Sequence, residues 1–188
     1  MSPTKQQPTA FRLQHYDPET FRATTRNASI RIILLFAVTA MLLSAGLVAW
    51  LGEPGGNNFK WNLTGVVLGL LLTSALVTGL FRKQPWMSAS VYGWRLKRNL
   101  MSITNRMHQL KAAVEQQDEK AMYLLRFYHL ALYHMHQLDG NSSAASDLVR
   151  EMDEHVTAMT ALHLEPDQPE LKPEWLAHIK PSNHKHKN

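Results

Sequence analysis

The chain contains no cysteine among its 188 residues. That absence excludes a disulfide framework, thiolate zinc sites, thiol nucleophiles and iron–sulfur ligation through cysteine. Charge is missing in two places as well. No ionisable side chain lies between Ile32 and Gly52, or between Trp61 and Phe81. Neither stretch therefore holds the intramembrane carboxylate, lysine or histidine that ion-coupled transport relies on. The Gly-x-x-x-x-Gly-Lys phosphate loop, the Gly-x-Ser-x-Gly elbow and the His-Glu-x-x-His helix are absent too, and no catalytic residue can be assigned from motif.

What is present is apolar length. Each uncharged stretch runs for about 21 positions, matching the ~20 residues a helix needs to cross the hydrocarbon core. Inside lipid every backbone group must pair within its own segment, so both are expected to be helices. Length argues against two core helices of a soluble protein. A cleaved signal peptide fits the first stretch poorly, because its lead is long and no small-x-small site follows. Glu53-Pro54-Gly55-Gly56-Asn57-Asn58-Phe59-Lys60 lies between them as a short polar turn.

Basic residues gather outside this pair: Arg26 and Arg31 before it, and Arg82, Lys83, Arg95, Lys97 and Arg98 after it, with no acid from Arg82 to Arg98. The positive-inside rule then puts both termini in the cytoplasm. Interleaved with Trp86, Tyr92 and Trp94, these cations suit anionic lipid headgroups better than nucleic acid. Gly65 and Gly69 on the second span, and Ala45 and Ala49 on the first, form small-residue stripes at four-residue spacing. Such stripes let helices approach closely, within the hairpin or between copies in a homo-oligomer.

After Pro85 the pattern becomes amphipathic. Ala89, Gly93, Leu96, Leu100, Ile103, Met107, Leu110 and Val114 recur at intervals of four and three, as one long helix would place them. Asp118 is placed to cap a second helix with Ala121, Leu125, Tyr128, Leu132 and Met135 on its apolar face; Asp139-Gly140 ends it. Ser142 or Ser143 opens a third, with Leu148, Met152, Val156, Met159 and Leu162 along one side. As a coiled-coil dimer the first helix would set Arg106 against Lys111 of another copy, so packing within its own chain is preferred. The prolines after Glu165 predict a largely extended tail, with one turn beginning at Pro173 and carrying Trp175, Leu176 and Ile179.

The fold class expected is thus all-α. A disordered arm (1–17) leads into a transmembrane hairpin (18–84, spans about 32–52 and 61–81). A small cytoplasmic three-helix bundle (85–164) and a Pro/His/Lys-rich tail (165–188) follow. His129 and His136, seven apart with Tyr133 between them, are the candidate ligand residues. Helical metal sites favour spacings of three or four plus a further ligand, so packed or surface histidines are the simpler account, as for His184-Lys185-His186. Asp147, Glu151 and Glu154 fall at helical spacing and read as a solvated acidic face. No cofactor is implied.

Two stretches carry a resemblance: Phe59-Lys60-Trp61-Asn62-Leu63-Thr64-Gly65-Val66, and Tyr92 through Asp139 with Glu115-Gln116-Gln117-Asp118, Phe127-Tyr128-His129 and Gln137-Leu138-Asp139. Over roughly Tyr16–Leu164 the chain resembles a bacterial family catalogued as domain of unknown function 3087. The resemblance implies a two-pass protein of the bacterial inner membrane and supplies no activity. The leading functional expectation is a non-enzymatic membrane-anchored adaptor. A metal-, haem- or small-ligand-sensing module using the helix histidines is the alternative, and a membrane-surface enzyme is third. Its partners are the bilayer and a protein of unspecified identity.

Overall fold

A computed structural model describes residues 11–180. The described residues are mostly helical, 79% of them, and include seven α-helices. Two helices are long and apolar: α1 (Pro18–Leu51) and α2 (Phe59–Gly79). Short 3-10 turns at Phe81–Lys83 and Pro85–Met87 lead to α3 (Ser88–Thr104), α4 (Met107–Glu115), α5 (Glu119–Asp139) and α6 (Ser142–Ala161). A two-residue strand β1 (Phe11–Arg12) precedes α1; β2 (Glu170–Leu171) and α7 (Pro173–His178) follow α6. The chain divides into two compact units, one spanning Thr20–Tyr92 and the other combining the segment up to Glu19 with the segment from Gly93 onward.

In the Thr20–Tyr92 unit, α1 and α2 touch through small and hydroxyl residues. A Cβ on Gly65 would run into the backbone and Oγ of Ser44, and one on Gly69 would lie 2.7 Å from Ala40 Cα. Thr39 and Thr73 share a hydroxyl hydrogen bond of 3.2 Å, and Ser44 Oγ donates to the Asn62 carbonyl at 3.0 Å. The α1 side of this contact is therefore Ala40 and Ser44. The stripe expected at Ala45 and Ala49 is exposed instead, because the crossing point puts the neighbouring face of α1 against Gly65. The turn between the helices is closed by Asn58, whose Oδ1 accepts from Glu53 N–H at 3.0 Å and whose Nδ2 donates to Glu53 O at 3.1 Å. Gly55, at φ 74°, supplies the left-handed residue this turn needs.

The other unit has α5 at its centre, packed by α4, α6 and α7. That surrounds α5 on several sides, so its core includes Met122, Leu124, Phe127, His129, Ala131 and Leu138 besides Ala121 and Leu125. The single stripe read from sequence is thus too narrow: Tyr128, Leu132 and Met135 are only partly buried. Asp118 caps α5 by accepting from Ala121 N–H at 2.8 Å, and Gly140 closes it in the left-handed region at φ 74°. For α6 the cap is Asn141, which accepts from Ala144 N–H, rather than either serine.

The seam on the first bundle helix buries Leu96, Leu100, Ile103 and Leu110 within the chain, but the helix is not continuous. It breaks at Asn105–Arg106, giving α3 and α4 in place of one long helix and four bundle helices in place of three. Arg106 sits outside helical geometry at ψ 5°. Its side chain reaches the Ser102 carbonyl and donates from Nε to Ile179 O at 3.0 Å. A partner 73 residues away thus helps to hold the break.

The arm and tail also differ from the extended, unstructured segments expected. Phe11 pairs with Leu171 and Arg12 with Glu170 in an antiparallel ladder, Leu13 N–H donates to Pro169 O, and Phe11 is 4% exposed. Trp175 and Ile179 are buried, with Trp175 stacked on Tyr123 of α5. The first ten positions and the His184-Lys185-His186 run lie outside the described residues. His178 Nε2 lies 2.9 Å from Asp118 Oδ2, so one carboxylate both caps α5 and holds α7. Asp118→Ala is expected to cost about 1–2 kcal/mol. It should also loosen α7, read as faster amide exchange over Pro173–His178; unchanged exchange there would deny the carboxylate its second role.

Candidate functional site

Two histidine clusters lie on α5, and the structure separates the two residues singled out in the sequence. His129 and His136 are about two turns, or roughly 10 Å, apart along the helix. His129 points into the core and is 4% exposed. There it meets His155 of α6, ring centroids 5.4 Å apart and planes at 85°. The His155 Nε2–H donates to the Met122 carbonyl at 2.9 Å, which fixes its tautomer, since a carbonyl only accepts. His129 Nδ1 is buried without a hydrogen-bond partner. Burial, then the neighbouring His155, Arg126 and Lys111, holds the His129 pKa down to about 3. His155 is lowered as well, by burial first. Arg126 sends Nε–H to Pro166 O at 2.8 Å, and its Nη1 is buried without a partner. Both imidazoles are neutral at neutral pH, and they share their surroundings with a guanidinium.

Sequence reading missed His155. The usable signal is that Leu148, Met152, His155 and Met159 continue the four-three-four spacing of the α6 core face, whereas Val156 lies one position off it. Among the described residues no group of three or more His, Cys, Asp or Glu is arranged to hold a metal ion. His129, His136 and Tyr133 do not form a joint ligand set.

His136 and Tyr133 instead line a cleft of about 550 Å³. Its walls are the arm at His15 and Tyr16, the last turns of α5, and the first two turns of α6 through Ser142, Ser146 and Val149. The arm is held in place by the β1–β2 ladder and by a hydrogen bond between the His134 ring and the Gln14 backbone. Burial lowers the His134 pKa, against the raising effect of that bond. Tyr16 OH donates to Gln14 Oε1 at 3.3 Å. The tight Gly140–Asn141 turn brings the end of α5 and the start of α6 to the same opening. Asp147, Glu151 and Glu154 are exposed on α6 and converge on nothing buried.

The flanking cations are divided. Arg26, Arg82 and Lys83 are exposed, and Arg31 lies over the Trp86 ring at 5.5 Å. Arg95 packs over Phe11 at 5.7 Å, Lys97 pairs with Asp139 at 2.9 Å, and Arg98 covers Trp94 at 5.1 Å. Arg95 and Lys97 thus have intramolecular partners that sequence position alone does not reveal. The family whose description reads Protein of unknown function (DUF3087) matches residues 11–176. No curated protein and no solved structure matches the chain.

Proposed function

The chain belongs to the DUF3087 family, a membership that carries no activity with it, and from its own residues we propose a membrane-anchored, non-enzymatic adaptor. In this reading α1 and α2 form a transmembrane hairpin in the bacterial inner membrane, with spans about 32–52 and 61–81 and both termini cytoplasmic. The α3–α7 bundle is the module presented to a protein partner. One observation carries the anchoring: the most apolar windows of α1 and α2 are only 6% and 17% buried. Trp50 is 83% exposed and Met41 71%. The core helix of a soluble protein would hide such residues. Here the apolar surface faces outward while the contact surface is built from Gly65, Gly69, Ala40 and Ser44, the arrangement that suits helices solvated by lipid.

The exposed cations Arg26, Arg82 and Lys83 supply the inside-positive flanks and contacts for anionic headgroups, at about 1 kcal/mol per charge near the surface. The apolar core through Leu96, Ile103, Leu110, Phe127 and Met159 gives the module a rigid body on which an interaction surface can be displayed.

A reporter that functions only in the cytoplasm is expected to be active when fused after Asn188. Crosslinking in native membranes followed by purification should recover one protein reproducibly. A silent reporter would remove the orientation, and repeated recovery of lipid alone would remove the adaptor role.

A further inference from the structure

We propose that the cleft between the N-terminal arm and the α5–α6 turn is a binding site for a small organic carboxylate with an apolar body. Its volume, about 550 Å³, lies within the ~300–1,000 Å³ typical of small-molecule sites. It is also built rather than incidental. Over its described residues, 11–17, the arm forms no helix, yet Phe11 is buried, its backbone is paired to β2, and the Gln14 backbone is tied to His134. These contacts hold His15 and Tyr16 opposite His136 and Tyr133. A cleft held open by fixed walls loses little conformational freedom when a ligand enters.

The lining narrows the ligand class. Among the described residues it contains no Asp or Glu, so an organic cation would meet no carboxylate on these walls. Nor, among the described residues, does it contain Lys or Arg, so a di- or triphosphate would meet none of the cations that normally neutralise several charges. The polar groups are the imidazoles of His15, His134 and His136, the phenols of Tyr16 and Tyr133, the Gln137 amide and the hydroxyls of Ser142 and Ser146. Tyr16 and Ser146 already give their hydroxyl protons to Gln14 Oε1 and the Ser142 carbonyl, which leaves the His15 and His136 rings, the Tyr133 phenol, the Gln137 amide and the Ser142 hydroxyl as donors. That set suits one carboxylate. Pro18, Leu138, Ala145 and Val149 supply the apolar part of the wall, Leu138 buried and Val149 40% exposed. A ligand with a hydrocarbon or aromatic body would cover Val149 while its charged end met the donors.

The test uses the full chain in detergent micelles and an amide chemical-shift titration with benzoate. Acetate, inorganic phosphate and phenyltrimethylammonium are run in parallel. Benzoate is expected to give saturable shifts confined to His15–Tyr16, Tyr133–Gln137 and Ser142–Val149, with acetate markedly weaker. Combining His136→Gln with Tyr133→Phe should weaken benzoate about tenfold or more. Exposed His108→Gln, outside the cleft, should leave binding unchanged. Three results would overturn the proposal: tighter binding of the cation, phosphate binding as well as benzoate, or benzoate shifts that persist undiminished in the double variant while its spectrum remains that of the folded protein.

Discussion

Acidification from about pH 7.5 to about pH 5 is expected to cost the α5–α6 core about 2 kcal/mol through His129 alone. The unfolded imidazole has the ordinary value of 6.5, whereas in the folded protein it is held at about 3. Between those values the unfolded chain takes up a proton that the folded chain excludes. Stability is therefore flat above pH 6.5 and falls as the pH drops toward 3. The lowered His155 and His134 act with the same sign. Asp118, where the Ala121 amide and His178 outweigh the raising effect of burial, adds stability above its unfolded value that is lost in acid. Amide exchange of α5 and α6, corrected for intrinsic rates, reads this as a falling opening free energy. In His129→Leu the pH slope should shrink by the His129 share. At neutral pH that variant should be close to wild type or better, because it removes a buried Nδ1 that has no partner. A slope untouched by the substitution would mean that His129 does not remain neutral in the folded core.

Gly65→Leu is expected to separate α1 from α2, at a cost of about 3 kcal/mol. Even the first side-chain carbon at this position meets Ser44 backbone atoms, which cannot swing aside as a flexible side-chain end would. Moving the helices apart also breaks the Ser44–Asn62 and Thr39–Thr73 hydrogen bonds. The absence of native cysteine provides a clean readout. Thr39→Cys with Thr73→Cys should oxidise readily to a disulfide in the otherwise wild-type chain. Adding Gly65→Leu should lower the yield about tenfold, the factor corresponding to only 1.4 kcal/mol. Equal yields in the two backgrounds would show that the close approach does not depend on Gly65. Ala45→Leu is the contrasting change: Ala45 is exposed, and its substitution should leave the crosslink unaffected.

Features set by neighbours in sequence were legible beforehand. The two long apolar helices follow from uninterrupted length, and the α5 boundaries from Asp118 and Gly140, because a cap and a left-handed terminator act within one turn. Gly65 and Gly69 stood out because a four-residue stripe of glycine has few other uses inside an apolar helix. Features set by distant partners were not. The break at Arg106 is held by Ile179, Phe11 is buried by pairing with Leu171, and α5 is packed on more faces than one stripe describes. The cleft belongs to this second group. His136 and Tyr133 were visible as a helix face, but His15 and Tyr16 join them only because a two-residue ladder fastens the arm to residues far along the chain. His155 was hidden by a shift of one position in reading the α6 face.

That ladder has a bearing on how the protein is made. During synthesis α1 and α2 emerge long before Glu170 and Leu171 exist, so Phe11 and Arg12 must wait for their ladder while all the helices from α1 to α6 are translated. Only when Glu170–Leu171 has left the ribosome can the arm find its strand partner and the cleft gain its second wall. The helical unit is thus closed by segments on either side of it in sequence, and a fragment beginning at Gly93 would leave Leu171 without the backbone it pairs with.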